Sequence, residues 1–271
     1  MERSLLDPRI YIKQSAQGVA YTAAEALVRL SKRARAEGAP FRLALSGGST
    51  PKLLYQLLTS ETNIFRREIP WDIIEFFFGD ERWVPHSSPE SNYKLANDEL
   101  FSKLGIREDH IFPVPTEGLE PDEAAEQYEQ SLMSVFGQGE GDYPRFDLIY
   151  LGMGDDGHTA SLFPHTQALH VEDSLVTANY VPKLSTNRIT LTAPVLNTAA
   201  NTIFMVAGAS KAPALKEVLQ GEYNPEEYPS QLLRNSLGNV VWLVDKEAAA
   251  QLEGDYRRYR GPCDRRGQRP P

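Results

Sequence analysis

Short apolar runs alternate with segments of helical periodicity along nearly the whole chain. Five runs rich in β-branched or aromatic residues have the length of buried strands: Phe41 to Leu45, Ile73 to Phe78, Phe146 to Leu151, Ile203 to Val206 and Val240 to Val244. Between them, apolar residues recur every three to four positions, which predicts helices near Ala23, Pro51, Asn92, Glu123 and Ala212. This alternation predicts an α/β fold with a mostly parallel, doubly wound sheet and helices on both faces.

The carboxyl ends of the predicted strands indicate where functional loops should lie. In a parallel sheet, ligands collect outside these ends, where loops and helix N-termini converge. Four strands lead at this end into polar loops that contain glycine: SGGSTP (46–51), GDERWVP (79–85), GMGDDGHTASLFP (152–164) and GASKAPAL (208–215). We expect these four loops to face one edge of the sheet.

The first loop has the composition of an anion-binding turn. Its glycines let the backbone approach a ligand, Ser49 or Thr50 can cap the following helix, and the helix N-terminus favours phosphate. The same residues could instead form a tight turn and a capped helix without any ligand, and the G-x-x-x-x-G-K-[ST] pattern is absent. The phosphate-binding candidates here are Ser46, Gly47, Gly48, Ser49 and Thr50.

Charged and polar residues in the other loops add binding candidates. Asp80 and Arg82 follow an apolar strand abruptly, which is typical of a site rim or of an ordinary surface turn, and the planar guanidinium suits an oxyanion. Asn92 follows Ser91 at a helix start, where these two residues could cap the helix or contact a ligand. Lys211 precedes a helix, where a bound anion would offset its unfavourable position, although it could simply be solvated. Arg188, at a strand start, is a further candidate cation.

The loop at 152–158 contains G-x-G-x-x-G, but it does not fit dinucleotide binding. Two aspartates would repel a pyrophosphate, the helix expected after the loop would be stopped early by Pro164, and the next strand ends without an acidic residue. Asp156 and His158 instead resemble a catalytic pair, because an adjacent carboxylate can orient an imidazole that takes and returns a proton. The alternative is that an aspartate caps a short helix and His158 is incidental. No histidine spacing predicts a metal site.

Composition excludes several classes of function. The net charge of −9 argues against a nucleic-acid partner, and the polar start and the lack of a long apolar segment argue against a membrane partner and favour a cytoplasmic protein. Cys263 is the only cysteine, so one chain can form neither a disulfide nor a thiolate metal site. We expect one domain over residues 1–255 and a basic, flexible tail over 256–271.

Together, the loops suit a phosphorylated small molecule held at one end while water attacks the other. No hydride carrier or other cofactor is required, and no G-x-S-x-G motif or catalytic cysteine is present. The order of SGGSTP, GDERWVP with SNY, GMGDDGHTASLFP, NRITLT and GASKA resembles the 6-phosphogluconolactonase family from about residue 10 to about residue 250.

This resemblance implies a fold shared with glucosamine-6-phosphate deaminase and ribose-5-phosphate isomerase. It implies hydrolysis of 6-phospho-D-glucono-1,5-lactone to 6-phospho-D-gluconate, the second step of the oxidative pentose phosphate pathway. By the same resemblance, His158 is the catalytic base, and the phosphate of the sugar lactone is held by the SGGST loop, Arg82 and Lys211. Backbone N–H groups of the 152–157 loop, or Arg82, are alternatives for stabilising the oxyanion.

Two other functions are compatible with such a fold. A glucosamine-6-phosphate deaminase carries a carboxylate soon after the histidine, but residues 161–164, SLFP, contain none. A catalytically silent sugar-phosphate sensor would not need the Asp156, His158 and Arg82 side chains. We expect a monomer, because no long exposed apolar helix is evident.

Overall fold

Strands and helices alternate through most of the chain. The structure is a computed structural model that describes residues 9–137 and 142–254. Its strands are β1 Arg9–Lys13, β2 Phe41–Leu45, β3 Ile74–Phe78, β4 Asp80–Arg82, β5 Leu148–Leu151, β6 Val176–Val181, β7 Thr186–Leu191, β8 Asn201–Val206 and β9 Asn239–Asp245. Its helices are α1 Ala16–Ala36, α2 Ser49–Thr59, α3 Phe65–Glu68, α4 Asn92–Ala96, α5 Ser102–Leu104, α6 Pro121–Phe136, α7 Ala193–Thr198 and α8 Ala212–Gln220.

Six strands form the main sheet, and all of them run parallel. Their order is β1-β9-β8-β5-β2-β3, so the predicted parallel sheet is confirmed. From β2 the chain moves outward to β3, whereas from β5 it moves the other way to β8 and β9. The loops after β2 and β5 therefore leave the sheet side by side at the point where the order reverses, which is where α/β folds bind ligands.

Helices cover both faces of the main sheet, as the sequence predicts. On one face, the Tyr150 hydroxyl of β5 donates to the Ala23 carbonyl of α1 at 2.9 Å. On the other face, Phe77 of β3 packs against Phe136 of α6 with ring centroids 5.5 Å apart. The strands between these layers are almost fully buried, so their near-continuous apolar sequences match their environment.

A second, antiparallel sheet has the order β4-β7-β6 and was not expected. The DER residues after β3 were expected in a loop, but they form the edge strand β4, so that expectation is wrong. Three charged residues carry no strand pattern of their own, and pairing with β7 supplies their backbone partners. Gly79 joins the two sheets, because its N–H donates to the Leu45 carbonyl of β2 and its C=O accepts from the Leu191 N–H of β7, each at 2.9 Å.

Several expected element boundaries need correction. Strand β1 was missed, and α1 begins at Ala16 with the Ser15 side chain as its cap. The short helix expected before Pro164 is absent, since residues 152–164 form turns. The predicted tail, with Cys263, lies outside the described residues. In the described part of the chain, no helix is both long enough and apolar enough to cross a membrane.

Candidate active site

The loop after β5 folds back on itself and brings Asp156 and His158 together. The Gly154 N–H donates to the His158 carbonyl at 2.8 Å, and Gly157 adopts a φ of 77°, which favours glycine. A Cβ on Gly154 would lie 2.1 Å from His158 Nδ1 and 2.5 Å from Asp156 Oδ1. A glycine at 154 is therefore required for the close contact between the two side chains.

The two oxygens of the Asp156 carboxylate have different partners. Oδ1 accepts from His158 Nδ1 at 2.6 Å, and Oδ2 accepts from Lys183 Nζ at 2.9 Å. Burial alone would raise the pKa of Asp156, but the hydrogen bond and charge of His158, together with Lys183, hold that pKa well below its usual range. Because a charged carboxylate only accepts hydrogen bonds, Nδ1 carries a proton and Nε2 of the neutral ring carries the lone pair.

Phe163 packs on the face of the His158 ring. The two rings stack with centroids 3.9 Å apart and planes inclined by 24°, and Phe163 is only 6% exposed. The carboxylate thus fixes one edge of the imidazole and the phenyl ring fixes one face. Nε2 has no hydrogen-bond partner within the described chain, so this lone pair is available to a substrate or a water molecule.

Arg82 and Arg188 lie directly opposite each other in the β4–β7 pair, and so on one face of the second sheet. The Arg82 guanidinium donates to the Glu90 carbonyl, whereas Arg188 makes no side-chain hydrogen bond or ion pair among residues 9–137 and 142–254. Burial and the neighbouring Arg82 lower the pKa of Arg188. Two like charges in register destabilise a sheet, and an anion bound between them would remove that cost.

Two buried carboxylates of β4 hold neighbouring segments of the site together. Asp80 Oδ2 accepts from Ser161 Oγ at 2.7 Å, which connects β4 to the segment just after His158. Glu81 accepts from the backbone N–H groups of Asn92 and Tyr93, at 2.7 and 2.8 Å, at the start of α4. Burial raises the pKa of Glu81, although its hydrogen bonds oppose the shift. Asp80 therefore joins loops together, and its predicted contact with substrate stays a prediction.

Ser91 and Asn92, which the sequence left as either caps or ligand contacts, have different environments. Ser91 is the N-cap of α4 and accepts from the Lys94 N–H at 3.1 Å. Asn92 is 2% exposed, and its Nδ2 donates to the Asp80 carbonyl at 2.8 Å. Its Oδ1 is buried, lacks a partner in the described chain and would lie 1.7 Å from a Cβ on Gly47. Asn92 thus brings β4 against the glycine loop.

The glycine loop after β2 contains a second unpartnered atom. Ser46 Oγ is buried without a hydrogen-bond partner in the described residues, while its carbonyl accepts from the Tyr55 hydroxyl at 2.7 Å. The expected cap by Ser49 or Thr50 is wrong, because the N-cap of α2 is Gly48, with φ 108° and no side-chain hydrogen bond. The N-terminal N–H groups of α2 are therefore not satisfied by a capping side chain, which suits an anion.

Lys211 stands at the start of α8, as the sequence predicts. No hydrogen bond or ion pair of its ammonium group occurs within the described residues. The preceding turn is fixed by Gly208, whose N–H donates to both oxygens of Asp245 at 3.1 Å. Strand β8 neighbours β5, so Lys211 lies at the same edge as His158, although the structure shows no direct contact between Lys211 and the other candidates.

Contacts connect most of the predicted site residues. Asn92 packs closely against Gly47 and donates a hydrogen bond to the Asp80 carbonyl. The Asp80 carboxylate in turn accepts a hydrogen bond from Ser161 in the loop after β5. Sequence reasoning missed Phe163, Lys183 and Ser161, which contact the Asp–His loop or stabilise it. The rings of His165 and His170 lie within 3.0–3.3 Å of carboxylate oxygens of Glu227 and Glu226, respectively. The described residues contain no group of three His, Cys, Asp or Glu that could hold a metal.

Comparisons with known proteins place this arrangement in an enzyme class. The family model described as Glucosamine-6-phosphate isomerases/6-phosphogluconolactonase matches residues 14–242. A 6-phosphogluconolactonase from Synechocystis is 43% identical over 220 residues, which cover 81% of this chain and 88% of the relative. One from Haemophilus influenzae is 37% identical over 79% of this chain and 88% of the relative. The chain therefore belongs to the 6-phosphogluconolactonase family.

Solved structures agree with this assignment. The structure of 6-phosphogluconolactonase from Trypanosoma brucei has a TM-score of 0.80 and 31% identity, and the match covers 91% of this chain and 99% of that chain. A monomeric glucosamine-6-phosphate deaminase has a TM-score of 0.74 at 21% identity, over 90% and 100% of the two chains. The deaminase shows that the fold is shared.

Proposed function

We propose that the protein hydrolyses 6-phospho-D-glucono-1,5-lactone to 6-phospho-D-gluconate, the second step of the oxidative pentose phosphate pathway. The observation that carries this proposal is the Asp156–His158 contact of 2.6 Å, which leaves Nε2 as a base. Relatives named 6-phosphogluconolactonase, at up to 43% identity among those compared, support the choice of substrate. A δ-lactone is an activated ester, so one positioned base and a stabilised oxyanion supply the required catalysis.

In the proposed mechanism, His158 acts first as base and then as acid. Nε2 takes a proton from a water molecule while the water oxygen attacks C1 and the carbonyl oxygen gains the negative charge. When the tetrahedral intermediate collapses, the bond between C1 and the ring oxygen breaks, and Nε2 returns the proton to that oxygen as a hydroxyl. The carboxylic acid product then loses its proton to solvent. Asp156 stabilises the transient imidazolium and keeps Nδ1 protonated.

The phosphate group is assigned to the polar residues on the other side of the site. Arg188 and Lys211 form no ion pair in the described chain, and Arg82 lies opposite Arg188. The N-terminus of α2 adds backbone N–H groups, with Ser46 Oγ and Asn92 Oδ1 as buried polar atoms beside it. Oxygen atoms of Asn92 and Ser46 can accept hydrogen bonds from sugar hydroxyls, whereas the cations suit the phosphate.

A rate measurement on fresh lactone tests this proposal. We expect the purified protein to accelerate ring opening far above the spontaneous rate, with no ammonia released from glucosamine 6-phosphate. Acid release at constant pH follows the first reaction, and a coupled ammonia assay follows the second. Ring opening at the spontaneous rate would overturn the proposed function, and ammonia release alone would indicate a deaminase.

The proposal also includes a cytoplasmic location and a monomeric state. The lack of a membrane-spanning helix in the described residues is compatible with such a location. The lactone would be produced, and the 6-phospho-D-gluconate consumed, by other enzymes of the same compartment. Cell fractionation and sedimentation velocity test these two statements. A protein recovered with membranes, or a stable dimer at micromolar concentration, would contradict the first or the second, respectively.

A further inference from the structure

We propose that Lys183 is a positioning residue that shares the Asp156 carboxylate with His158 and so keeps His158 unprotonated where it must act as a base. The inference rests on the proposed function, because it gives His158 a role. Lys183 lies in the turn at 182–184 between β6 and β7, and its ammonium is 2.9 Å from Asp156 Oδ2. The turn between β6 and β7 of the second sheet thus contacts the loop after β5 of the main sheet, which carries the proposed base.

The two partners of the carboxylate act on each other through it. Oδ1 accepts from His158 Nδ1 at 2.6 Å and from the His158 backbone N–H at 3.2 Å, while Oδ2 is occupied by Lys183. A carboxylate that is already paired with an ammonium stabilises an imidazolium less than an unpaired carboxylate does. Lys183 therefore limits the rise in proton affinity that Asp156 alone would impose on the ring. It also anchors Oδ2, which directs Oδ1 toward Nδ1.

The other charged groups near the pair do not replace Lys183 in this role. Asp155, in the same loop, contributes to raising the pKa of Lys183, although the larger cause is the hydrogen bond to Asp156. Phe163, on the ring face, is uncharged, and Tyr228 packs at Gly157. Glu226 and Glu227 pair with His165 and His170 rather than with His158. Because Lys183 is 62% exposed, we expect solvent to weaken its influence without abolishing it.

The pH dependence of catalysis provides the first test. In Lys183→Met, the acidic limb of the kcat/KM profile should move upward by about half a pH unit, because the imidazolium becomes more stable without the ammonium. The rate on the plateau above this limb should fall less than threefold, and Lys183→Arg should restore the wild-type limb. A rise in KM with an unchanged limb would show that Lys183 contacts substrate instead, and would overturn the proposal.

A titration of the substrate-free protein separates this inference from the proposed function. The nitrogen shifts of His158, assigned among the five histidines with a His158→Gln variant, follow its protonation without any turnover. We expect the same upward displacement in Lys183→Met and none in the control Lys216→Met, which removes another partly exposed lysine, paired with Glu253 at 2.6 Å. Coincident titrations of the wild type and Lys183→Met would refute the role of Lys183 even if the lactone is hydrolysed. A displaced titration with no lactonase activity would refute only the function.

Discussion

The loop after β5 and the loop after β2 lie side by side, but their polar groups are satisfied to different degrees. In the first, His158 and Asp156 are hydrogen-bonded to each other, to Lys183 and to the backbone. In the second, Ser46 Oγ lacks a partner, as does the adjoining Asn92 Oδ1, within the described chain. Buried polar atoms without partners are costly. We infer that the first region is already organised for chemistry, whereas the second has hydrogen-bonding capacity that a ligand completes.

The largest effect is expected for His158→Ala, which tests the role of the loop after β5. We expect kcat to fall by about a hundred- to ten-thousand-fold, because the only proposed base is removed. The free energy of unfolding should fall by about 1–2 kcal/mol, because the stacking of the ring on Phe163 and its hydrogen bond to Asp156 are lost, and the variant should stay folded. Initial rates on fresh lactone, corrected for spontaneous opening, and urea unfolding measure the two quantities. A folded variant with the wild-type kcat would show that another group is the base.

A glycine-to-alanine substitution in each loop can distinguish the roles of the two loops. Gly154→Ala places a Cβ 2.1 Å from His158 Nδ1, so the Asp–His contact must open. We expect kcat to fall by about ten- to a hundred-fold with little change in KM, because a poorly oriented base affects the transition state more than binding. Steady-state kinetics against lactone concentration measure both constants.

Gly47→Ala is the matched control, since neither glycine has a φ in the left-handed region. Its Cβ would lie 1.7 Å from Asn92 Oδ1, which Asp80 holds in place. We expect KM to rise by about tenfold and stability to fall by about 1–3 kcal/mol, with kcat largely kept. If both variants lost mainly kcat, or both mainly affinity, the division between the loops would be wrong.

Arg188→Met should weaken binding while relieving the repulsion within the second sheet. We expect KM to rise by about tenfold through loss of one charge-assisted contact to phosphate. The free energy of unfolding of the ligand-free protein should change by less than about 0.5 kcal/mol, because the repulsion from Arg82 and the attraction of Asp80, Glu81 and Glu90 are lost together. Kinetics and urea unfolding without phosphate measure these effects, with Arg33→Met as a control in an exposed ion pair with Glu37. A loss of stability with unchanged KM would mean that Arg188 is structural.

The smallest expected effect is a pH dependence of stability from Asp156. The pKa of this carboxyl is lowered in the folded protein, where burial, which alone would raise it, is outweighed by His158 and Lys183. Its stabilising contribution is therefore present above the unfolded pKa near ~4 and is lost as the pH falls toward the lower folded value. When the pH is lowered below about 4, the free energy of unfolding of the wild type should fall by about 1 kcal/mol more than that of Asp156→Asn. Urea unfolding at several pH values measures the difference, and parallel curves would contradict it.

The sequence predicts the main sheet well because its signals are local. Buried parallel strands such as Phe41–Leu45 are continuous apolar runs, and their carboxyl ends carry the glycine loops. The Asp156–His158 contact is also local, since a single glycine, Gly157, separates the two partners in sequence. The second sheet could not be predicted in the same way, because β4 has three charged residues and gains its structure from pairing with β7.

Two of the residues that the sequence analysis missed make contacts over sequence separations too long for any local pattern to record. Lys183 reaches Asp156 from another sheet, 27 positions away, and Ser161 reaches Asp80 across 81 positions. Phe163 stacks on His158 because residues 158–164 form turns instead of the short helix that was expected. These contacts depend on the three-dimensional path of the chain. The glycines, Asp156 and His158 of the loop after β5 could be recognised from the sequence because their residue types and spacing are distinctive.

Gly79 has a consequence for the motion of the protein. Only this residue separates β3 from β4, and its N–H and C=O are both held by neighbouring strands, β2 and β7. A hinge needs residues that are free to change their backbone dihedral angles, and such freedom is missing here. We therefore expect the arginines of the second sheet to keep a nearly fixed separation from the imidazole of His158, the proposed base, before any substrate arrives. Such a site would select substrates by the distance between their anionic group and their reactive carbon.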